Sequence, residues 1–371
     1  METWQKLLQA SITRPGALTR KYGVDPHPLE EVAEQYPMRI NPYYLGLIKE
    51  VDDPIWRQAV PSEQELQDSV CPSDPLEEEN QSPIPNLVHR YPDRVLFQVS
   101  SECAMYCRFC TRKRKVGGES MVINRETIEN GLRYIRAHAE VRDVILSGGD
   151  PLLLSDERLD SILSELRAIP HVEIIRIGSR IPVVLPQRVT MGLIRVLRKY
   201  HPIYLNTHFN HPDEITETAA KACARLANAG IPLGNQSVLL RGVNDDPAVM
   251  KRLMQKLLAI RVRPYYIFQA DMVQGTNHFR TSVEEGLQIM RALRGHTSGL
   301  CVPAYVIDAP GGGGKIPLLP DYLQSIGDDE VVLKNYLGNT YSYKNVQPAL
   351  PVIEPLRVAN VGRRRSGAGE R

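Results

Sequence analysis

Three of the six cysteines in this 371-residue chain lie close together, at Cys103, Cys107 and Cys110. The spacing C-x-x-x-C-x-x-C lets each short intervening segment turn its sulfur inward, so that three thiolates surround one face of a small inorganic cluster. Ferredoxin clusters normally take four cysteines. A local set of three therefore leaves one iron without a protein thiolate, and an open iron is a place where a small molecule can bind.

Two other interpretations of the cysteines remain open at this point. Structural zinc needs four closed ligands, commonly from paired C-x-x-C knuckles, and the sequence has no second knuckle. A histidine would have to complete the set, from among His89, His138 and His208. Free cysteines are also often small core residues. That interpretation is favoured for the three isolated ones, which are Cys71, Cys223 and Cys301.

A lysine that follows four glycines is the second informative feature, in the segment PGGGGK that ends at Lys315. Glycine gives the backbone wide freedom in φ and ψ, so this loop can carry the amine to a carbonyl cofactor such as pyridoxal phosphate, bound as a Schiff base. The motif G-x-x-x-x-G-K-[ST] of phosphate-binding loops is not met, because Ile316 stands where Ser or Thr is needed. A flexible loop with an exposed lysine is the remaining alternative.

Apolar runs rich in β-branched residues predict the strands that must position these groups. After the first interval they recur roughly every thirty residues with helix-like segments between them, which is the cadence of a parallel βα barrel. Polar or glycine-containing sequence follows many of them, and catalytic groups of such barrels lie at the carboxyl ends of strands. Simple turn formation by Gly, Asn and Asp is the alternative. The runs are 95–99, 144–146, 174–177, 203–205, 238–240, 265–268 and 302–308, and the polar ends include 147–150, 178–180, 206–208 and 269–271.

Composition excludes several classes of protein. The chain has 45 Lys plus Arg against 43 Asp plus Glu and 24% charged residues, which is typical of a globular protein and argues against a disordered chain or one that coats nucleic acid. No run approaches the ~20 apolar residues of a membrane span, and the first residues lack the apolar core of a secretory signal. We expect a cytoplasmic protein with no membrane or nucleic-acid partner, in which disulfides are rare and clustered cysteines bind metal or catalyse.

Four regions are predicted along the chain. Residues 1–90 are read as a helical N-terminal layer, and 91–300 as the partial barrel. Residues 301–345 contain the PGGGGK segment, and the family resemblance given below implies that they carry the cofactor lysine and pack on the barrel. Residues 346–371 form an extended to disordered tail rich in Pro and then Arg and Gly.

The run CAMYCRFC from Cys103 to Cys110 resembles the signature of the radical S-adenosylmethionine enzymes, and SGGD at 147–150 resembles their glycine-rich motif. Together with the PGGGGK segment, it resembles the lysine 2,3-aminomutase family, which uses both S-adenosylmethionine and pyridoxal phosphate. The likeness extends from about residue 40 to 343. It passes through further matched segments at 74–76, 89–94, 206–212, 234–244 and 295–299.

The resemblance implies an α/β fold, a partial (β/α)6 TIM-type barrel of the radical S-adenosylmethionine kind with a helical N-terminal layer and a C-terminal extension. It also implies a [4Fe–4S] cluster on Cys103, Cys107 and Cys110, whose open iron S-adenosylmethionine chelates. The positions matching the family's S-adenosylmethionine contacts are Ser147, Gly148, Gly149, Asp150, His208 and Gln236. Lys315 would hold pyridoxal phosphate as the internal aldimine, with Arg90 and Arg94 near its phosphate.

For the substrate, Arg112 matches the arginine that grips the amino-acid carboxylate, in keeping with a planar bidentate guanidinium. Asp271 and Asp308 match the carboxylates that hold the distal ammonium of lysine. Two acids at two strand ends suit a buried cation. Glutamate-specific relatives lack this pair, which favours lysine as the substrate.

The implied activity is that of an isomerase, L-lysine 2,3-aminomutase, which interconverts lysine and β-lysine after a 5′-deoxyadenosyl radical abstracts hydrogen from the aldimine. Reduced flavodoxin or ferredoxin would be the electron donor, and a homo-oligomer is expected. The alternatives are an aminomutase for another amino acid, one that supplies β-lysine for elongation factor P, or an iron–sulfur protein without turnover. Clostridial relatives carry a zinc-binding cysteine where this chain has Asp246, and no cysteine follows Cys301, so no structural zinc is expected.

Overall fold

The computed structural model describes residues 1–118 and 121–346. The chain divides into two compact units, Met1–Pro320 and Asp321–Arg371. The predicted segment 301–345 therefore spans parts of both units, and from residue 347 onward the predicted tail lies outside the described residues. The region boundaries taken from the sequence stay predictions.

The helices and strands of the described residues are numbered in chain order. The helices are α1 (Thr3–Gln9), α2 (Gly16–Tyr22), α3 (His27–Gln35), α4 (Pro42–Leu45), α5 (Pro54–Ala59), α6 (Arg125–Ala137), α7 (Asp156–Arg167), α8 (Ile181–Val184), α9 (Met191–Arg198), α10 (Glu217–Asn228), α11 (Pro247–Ala259) and α12 (Val283–Leu293). The strands are β1 (Leu87–Tyr91), β2 (Arg94–Ser100), β3 (Asp143–Gly148), β4 (Ile174–Gly178), β5 (Ile203–Thr207), β6 (Leu233–Leu239), β7 (Arg263–Gln269), β8 (Ala304–Ala309), β9 (Gly314–Leu318), β10 (Leu323–Ile326), β11 (Glu330–Lys334) and β12 (Thr340–Lys344).

In the first unit, strands β1 to β9 form one sheet in sequence order. Strands β2 to β8 are mutually parallel, and each of β2 to β7 is followed by a helix that returns the chain to the start of the next strand. Strand β1 pairs antiparallel with β2, and β9 pairs antiparallel with β8. The predicted partial (β/α)6 barrel is confirmed. Because β2 to β8 are parallel, their carboxyl ends meet at the same edge.

Buried aliphatic residues of the parallel strands form the core between sheet and helices. Leu146 on β3, Ile177 on β4 and Leu205 on β5 have no exposed surface. Each fully buried side chain of this kind contributes about 1.5–3 kcal/mol to folding. The helices begin at side-chain caps, as where the Thr190 hydroxyl accepts from the Leu193 amide at the start of α9. None of the described helices is both long and apolar enough to span a membrane.

One strand differs from its predicted position. The apolar run 238–240 predicts a strand there, but β6 begins five residues earlier at Leu233. Its first half contains polar residues that the barrel buries in hydrogen bonds. Asn235 Nδ2 donates to the carbonyl of Phe209 (3.1 Å) and Ser237 Oγ to the same carbonyl (2.7 Å). A hydropathy pattern cannot show a strand whose buried side chains are satisfied amides and hydroxyls.

The N-terminal region contributes α1 to α5 and then, within its predicted helical span, the strand β1. Helix α4 is attached to the barrel loops through buried polar contacts. Asn41 Nδ2 donates to the carbonyl of Val184 (2.8 Å), and the Tyr44 hydroxyl donates to Glu214 (2.7 Å). The N-terminal layer therefore holds the loops after β4 and β5 at the edge where the candidate site lies.

The second unit contains an antiparallel three-stranded sheet in the order β10-β11-β12. Its register pairs Val331 with Tyr343 and Leu333 with Tyr341. The predicted site residues all precede this unit.

Candidate active site

The three clustered cysteines lie in the loop that follows β2, and all three are partly buried free thiols. Arg108 fixes this loop, because it is 1% exposed and its guanidinium donates to Glu65 on the N-terminal layer (Nε–Oε1 2.9 Å). Lys113 donates to the same carboxylate and to the Gly275 carbonyl. Two cations on one buried carboxylate therefore tie the loop to the N-terminal layer and to the chain after β7.

The donor set of this loop fits an iron–sulfur cluster. Burial, and then Asp150 and the two other thiols, raise the pKa of Cys103, and burial and Cys107 raise that of Cys110 to about 11. Three thiols so close in a buried loop ionise together only where a cation offsets their charges. Among the described residues, no three His, Cys, Asp or Glu side chains converge on one ion. A four-iron cluster takes each thiolate on a different iron, so its sulfurs surround a volume instead of a point.

Arg180, which the sequence does not mark as a site residue, contacts the loop that carries the three clustered cysteines. Arg180 follows β4 and donates from Nη1 to the Cys107 sulfur at 2.8 Å. Its Nη2 donates to Gln58 (2.6 Å) and to Glu214 (2.8 Å), so the guanidinium is held in place within a buried network. The only sequence signal for this contact is its position in the polar segment 178–180 at a strand end.

The glycine-rich segment at the end of β3 lies on the chain that leads into the cysteine loop. A Cβ on Gly148 would meet the Ser100 carbonyl oxygen at 2.3 Å, and one on Gly149 would meet that of Glu102 at 2.4 Å. Gly148 also has a φ of +114°, which side chains rarely adopt. The amide of Asp150 donates to the Glu102 carbonyl (2.8 Å). The fold therefore requires both glycines even before a ligand is considered.

The residues predicted to contact S-adenosylmethionine differ in their burial and in their hydrogen-bond partners. Asp150 is buried and accepts from the Ser179 hydroxyl (2.7 Å) and the Arg180 amide (2.8 Å), and burial raises its pKa to about 6. His208 follows β5, and burial and the charge of Arg180 lower its pKa to about 3, so its ring is neutral. Gln236 lies on β6 on the same face as Val238, which lines a small cavity of about 20 Å³ beside Phe109.

Lys315 is paired with a carboxylate at the end of the neighbouring strand. In the antiparallel ladder of β8 and β9, Lys315 is the direct partner of Asp308, and its Nζ lies 2.9 Å from Asp308 Oδ2. The other oxygen, Oδ1, accepts from Arg90 Nη1 at 2.9 Å. Asp308 is 9% exposed and Arg90 is also largely buried, whereas the Lys315 side chain remains about one-third exposed.

The glycine run before Lys315 forms a turn in which three of the four glycines have positive φ. Gly311, Gly312 and Gly314 have φ values of +70°, +76° and +83°. A Cβ on Gly312 would overlap the Gln81 amide, at 1.5 Å from its nitrogen. The glycines therefore close a tight hairpin between β8 and β9 against the N-terminal region.

Asp271, just after β7, lies near this group. Burial first, and then the negative charge of Asp308, raise its pKa to about 7, while Lys315 and Arg90 act in the opposite direction. Arg94 is not drawn into the group by a direct contact: it pairs with Asp93 (3.4 Å) and lies 4.2 Å over the Tyr91 ring. The Tyr91 hydroxyl accepts from the Lys315 amide at 2.9 Å. Tyr91, which the sequence does not single out, therefore contacts both Arg94 and Lys315.

Arg112 is held on one edge by a carboxylate that the sequence does not single out. Its Nε donates to Glu78 Oε2 (3.0 Å) and its Nη2 to Oε1 (2.6 Å), and both side chains are largely buried. The remaining nitrogen, Nη1, lies 3.5 Å from the Ser147 hydroxyl. The edge formed by Nη1 and Nη2 therefore faces the glycine-rich segment, where a second carboxylate could bind.

The geometry brings an amine, a guanidinium and two acids together at the ends of β7, β8 and β9. A lysine amine beside an arginine fits a cofactor that carries a carbonyl and a phosphate, because the amine condenses with the carbonyl and the guanidinium binds phosphate oxygens. The acids remain to bind a cation. The three thiols fit a cluster with one open iron.

Comparisons with known proteins agree with this arrangement. Residues 97–253 match the family model described as the radical SAM superfamily, and residues 290–354 match the one described as lysine-2,3-aminomutase. The chain is 57% identical to the L-lysine 2,3-aminomutase of Clostridium subterminale over 82% of this chain and 74% of that one. It is 55% identical to that of Methanococcus maripaludis strain S2 over 86% and 75% of the two chains.

A relative of different name is also similar. The glutamate 2,3-aminomutase of Clostridioides difficile strain 630 is 49% identical over 87% of this chain and 77% of that one. Both kinds of relative are aminomutases, so the substrate has to be argued from the site. The chain belongs to the lysine 2,3-aminomutase family of radical S-adenosylmethionine enzymes, and it is an isomerase whose cofactors are a [4Fe–4S] cluster, S-adenosylmethionine and pyridoxal phosphate.

Proposed function

We propose that this enzyme interconverts L-lysine and β-lysine. The observation that carries the proposal is the pair of carboxylates, Asp271 and Asp308, at the ends of adjacent strands beside Lys315. A glutamate side chain would bring a third negative charge to two acids that already repel each other. The distal ammonium of lysine would neutralise them, and it is the cation that this pair fits.

The cofactors supply the difficult chemistry: the reduced cluster and S-adenosylmethionine provide a hydrogen-abstracting radical, and pyridoxal phosphate stabilises the radical next to the migrating nitrogen. The chain provides placement. In this proposal Cys103, Cys107 and Cys110 hold the cluster. The predicted S-adenosylmethionine contacts are Ser147, Gly148, Gly149, Asp150, His208 and Gln236.

In this proposal the amine of Lys315 would hold pyridoxal phosphate, and Arg90 and Arg94 would bind its phosphate. Lys315 and Arg90 now neutralise Asp308. If the cofactor engaged both cations, Asp308 would be left to pair with the substrate ammonium.

Arg112 binds the substrate carboxylate through the edge that Glu78 leaves open, toward Ser147. With the carboxylate fixed at Arg112 and the distal ammonium at Asp271 and Asp308, the substrate is held at both ends. Such placement limits the motion of the reacting carbon, which is the main contribution that a protein scaffold makes to this chemistry.

Replacement of Asp271 by Asn is expected to lower kcat/KM for lysine by about 10²-fold or more, since one carboxylate alone leaves the ammonium partly uncompensated. In the wild-type enzyme kcat/KM should fall as the pH drops below about 7. The pKa of Asp271 is raised to about 7, so at lower pH its carboxyl group is protonated and no longer attracts the ammonium. The variant should lack this limb of the pH profile. Unchanged lysine turnover, or a limb that persists in the variant, would remove Asp271 from ammonium binding.

Replacement of Glu78 by Gln should raise KM for lysine and lower kcat/KM by about 5- to 150-fold, the loss of roughly 1–3 kcal/mol when a charged hydrogen-bond pair is broken. The neighbouring Glu79→Gln is the matched control, since Glu79 pairs with Arg114 and Lys115 instead. Steady-state kinetics on both variants decide the point. Equal KM values in the two variants would show that Glu78 does not orient Arg112.

The proposal as a whole is tested by anaerobic incubation of the reconstituted protein with S-adenosylmethionine, pyridoxal phosphate, a reductant and a panel of amino acids. We expect β-lysine from lysine and no β-glutamate from glutamate. Formation of β-glutamate alone would establish the alternative that the Clostridioides difficile relative's name suggests, and would overturn the assignment of the acidic pair.

A further inference from the structure

A cationic groove lies at the rim of the barrel, outside the site described above. It has a volume of about 480 Å³, and its lining includes Arg57 on α5, Arg241 after β6, and His278 and Arg280 after β7. None of these residues belongs to the proposed cofactor or substrate contacts.

The guanidinium groups of the groove are close together and poorly neutralised. Gly242 has a φ of +71°, and a Cβ there would meet Arg57 Nη1 at 2.7 Å, so the Arg57 guanidinium lies directly on the loop that carries Arg241. Arg57 pairs with Asp52. In the described part of the chain, Arg241 and Arg280 have no carboxylate oxygen within 4 Å of their nitrogens.

The hydrogen bonds of Arg241 and Arg280 do not cancel their charges. Arg241 Nε donates to the carbonyl of Arg280 (2.9 Å), and Arg280 Nη1 donates to the amide oxygen of Asn277 (3.2 Å). The nearby acid Glu285 accepts from the Ser282 amide at the start of α12 (2.5 Å) and its charge acts on Arg241, but no carboxylate of the described residues belongs to the groove lining. The groove therefore carries net positive charge and suits an anionic surface.

Aromatic rings connect this groove with the cysteine loop. The ring of His278, which lines the groove, lies 4.1 Å from that of Phe279, centre to centre. Phe279 meets Phe109 edge to face at 6.3 Å, and Phe109 stands between Cys107 and Cys110. Burial first, and then the charges of Lys113 and Arg108, lower the pKa of His278 to about 4, so the ring is neutral at neutral pH. Three rings in contact thus separate the groove from the proposed cluster ligands.

We propose that this groove docks an acidic electron-carrier protein, which passes electrons to the cluster beneath it. The inference rests on the proposed function, since only the radical reaction needs the donor. In the step itself the reduced carrier loses one electron and the cluster gains it, and no bond forms or breaks. Weak redox complexes use small interfaces that charge complementarity steers together, and electron transfer requires that the two centres come close.

The test measures cluster reduction in the reconstituted holoenzyme by anaerobic stopped-flow absorbance. Reduced flavodoxin is the acidic protein donor, and reduced methyl viologen is a small cationic donor with no protein surface. In the double variant Arg241→Glu, Arg280→Glu, we expect the second-order rate with flavodoxin to fall at least about tenfold and to lose most of its salt dependence. The rate with methyl viologen should stay within about twofold.

Two further variants complete the experiment. The double variant Arg195→Glu, Arg198→Glu makes the same charge change on the exposed face of α9 and should keep the wild-type flavodoxin rate. Replacement of Arg241 and Arg280 by Gln should give an intermediate rate. Iron content is measured in each variant, so that a loss of fold is recognised before rates are compared.

Several results would overturn the proposal. Equal flavodoxin rates in the α9 double variant (Arg195→Glu, Arg198→Glu) and in the groove double Glu variant would remove the groove as the docking surface. An equal loss with methyl viologen would mean that the arginines act on the cluster itself. A change in molecular mass in light scattering would make the groove an interface between copies of the chain. Cluster reduction is read without lysine, so failure of lysine turnover leaves this test intact.

Discussion

Lys315→Ala is expected to lose bound pyridoxal phosphate and to lower lysine turnover by about 10³-fold or more, a loss of roughly 4 kcal/mol in transition-state stabilisation. The reason is geometric as well as chemical. Lys315 stands opposite Asp308 in the ladder of β8 and β9, and its Nζ is the amine beside Arg90 at the strand ends. The measurement is the visible absorbance of the protein after gel filtration, with iron content measured on the same sample.

Lys315→Arg separates the two roles of the side chain. Arginine keeps the positive charge beside Asp308 but does not condense with a carbonyl group. We expect it to preserve folding and iron content and yet to lose the cofactor absorbance as Lys315→Ala does. If either variant kept the absorbance of a covalently held cofactor, another amine would have to be found and Lys315 would have no role in the linkage.

Cys107→Ala is expected to lose the iron–sulfur cluster and with it all cleavage of S-adenosylmethionine. The loss should be nearly complete, because only two of the three local thiols remain and Arg180 loses the sulfur to which it donates. Iron and sulfide analysis, together with the electron paramagnetic resonance spectrum of the reduced protein, measure the effect. Pyridoxal phosphate binding should persist, since Lys315 lies in a different loop.

Cys223→Ala is the matched control for this prediction. Cys223 is fully buried on α10 and belongs to the barrel core, so its loss affects packing and not metal binding. We expect full iron content in this variant. A wild-type iron–sulfur spectrum in Cys107→Ala would refute the ligand assignment, and a lost cluster in Cys223→Ala would show that iron loss follows from any damage to the fold.

The parallel barrel could be predicted from the sequence because its strands are rich in apolar, β-branched residues and are separated by amphipathic helices. The predicted runs 174–177 and 203–205 fall within β4 and β5. Prediction fails where burial is polar, as in β6, whose first half is held by Asn235 and Ser237. Such a strand is visible only when the acceptor, here the Phe209 carbonyl, is known.

Site residues could be named from motifs, but their partners could not. Glu78 is one of three consecutive glutamates, and nothing in the sequence separates the one that binds Arg112 from Glu79 on the surface. Arg180 meets Cys107 although 73 residues separate them. Long-range pairs of this kind depend on the fold, because only the packed loops at the strand ends bring the two side chains within reach.

Glycine at 148 and 149 has a meaning that the motif alone does not convey. A motif suggests a backbone open to a ligand, whereas the structure shows the space beside each Cα filled by the chain at Ser100 and Glu102. A structural role and a ligand-binding role of these glycines are compatible. The close packing of the glycine segment against residues 100–102 also fixes the main-chain groups that remain exposed.

The length of the turn between β8 and β9 determines whether Lys315 lies opposite Asp308. Asp308 and Lys315 face each other because the six intervening residues, 309–314, form a turn of one fixed size. A chain one glycine shorter either strains that turn or slips by one residue, and a slip points the lysine to the opposite face of the sheet. Insertions and deletions here are therefore as damaging as loss of the lysine itself. The length of this loop therefore constrains the site as much as the residues at its two ends do.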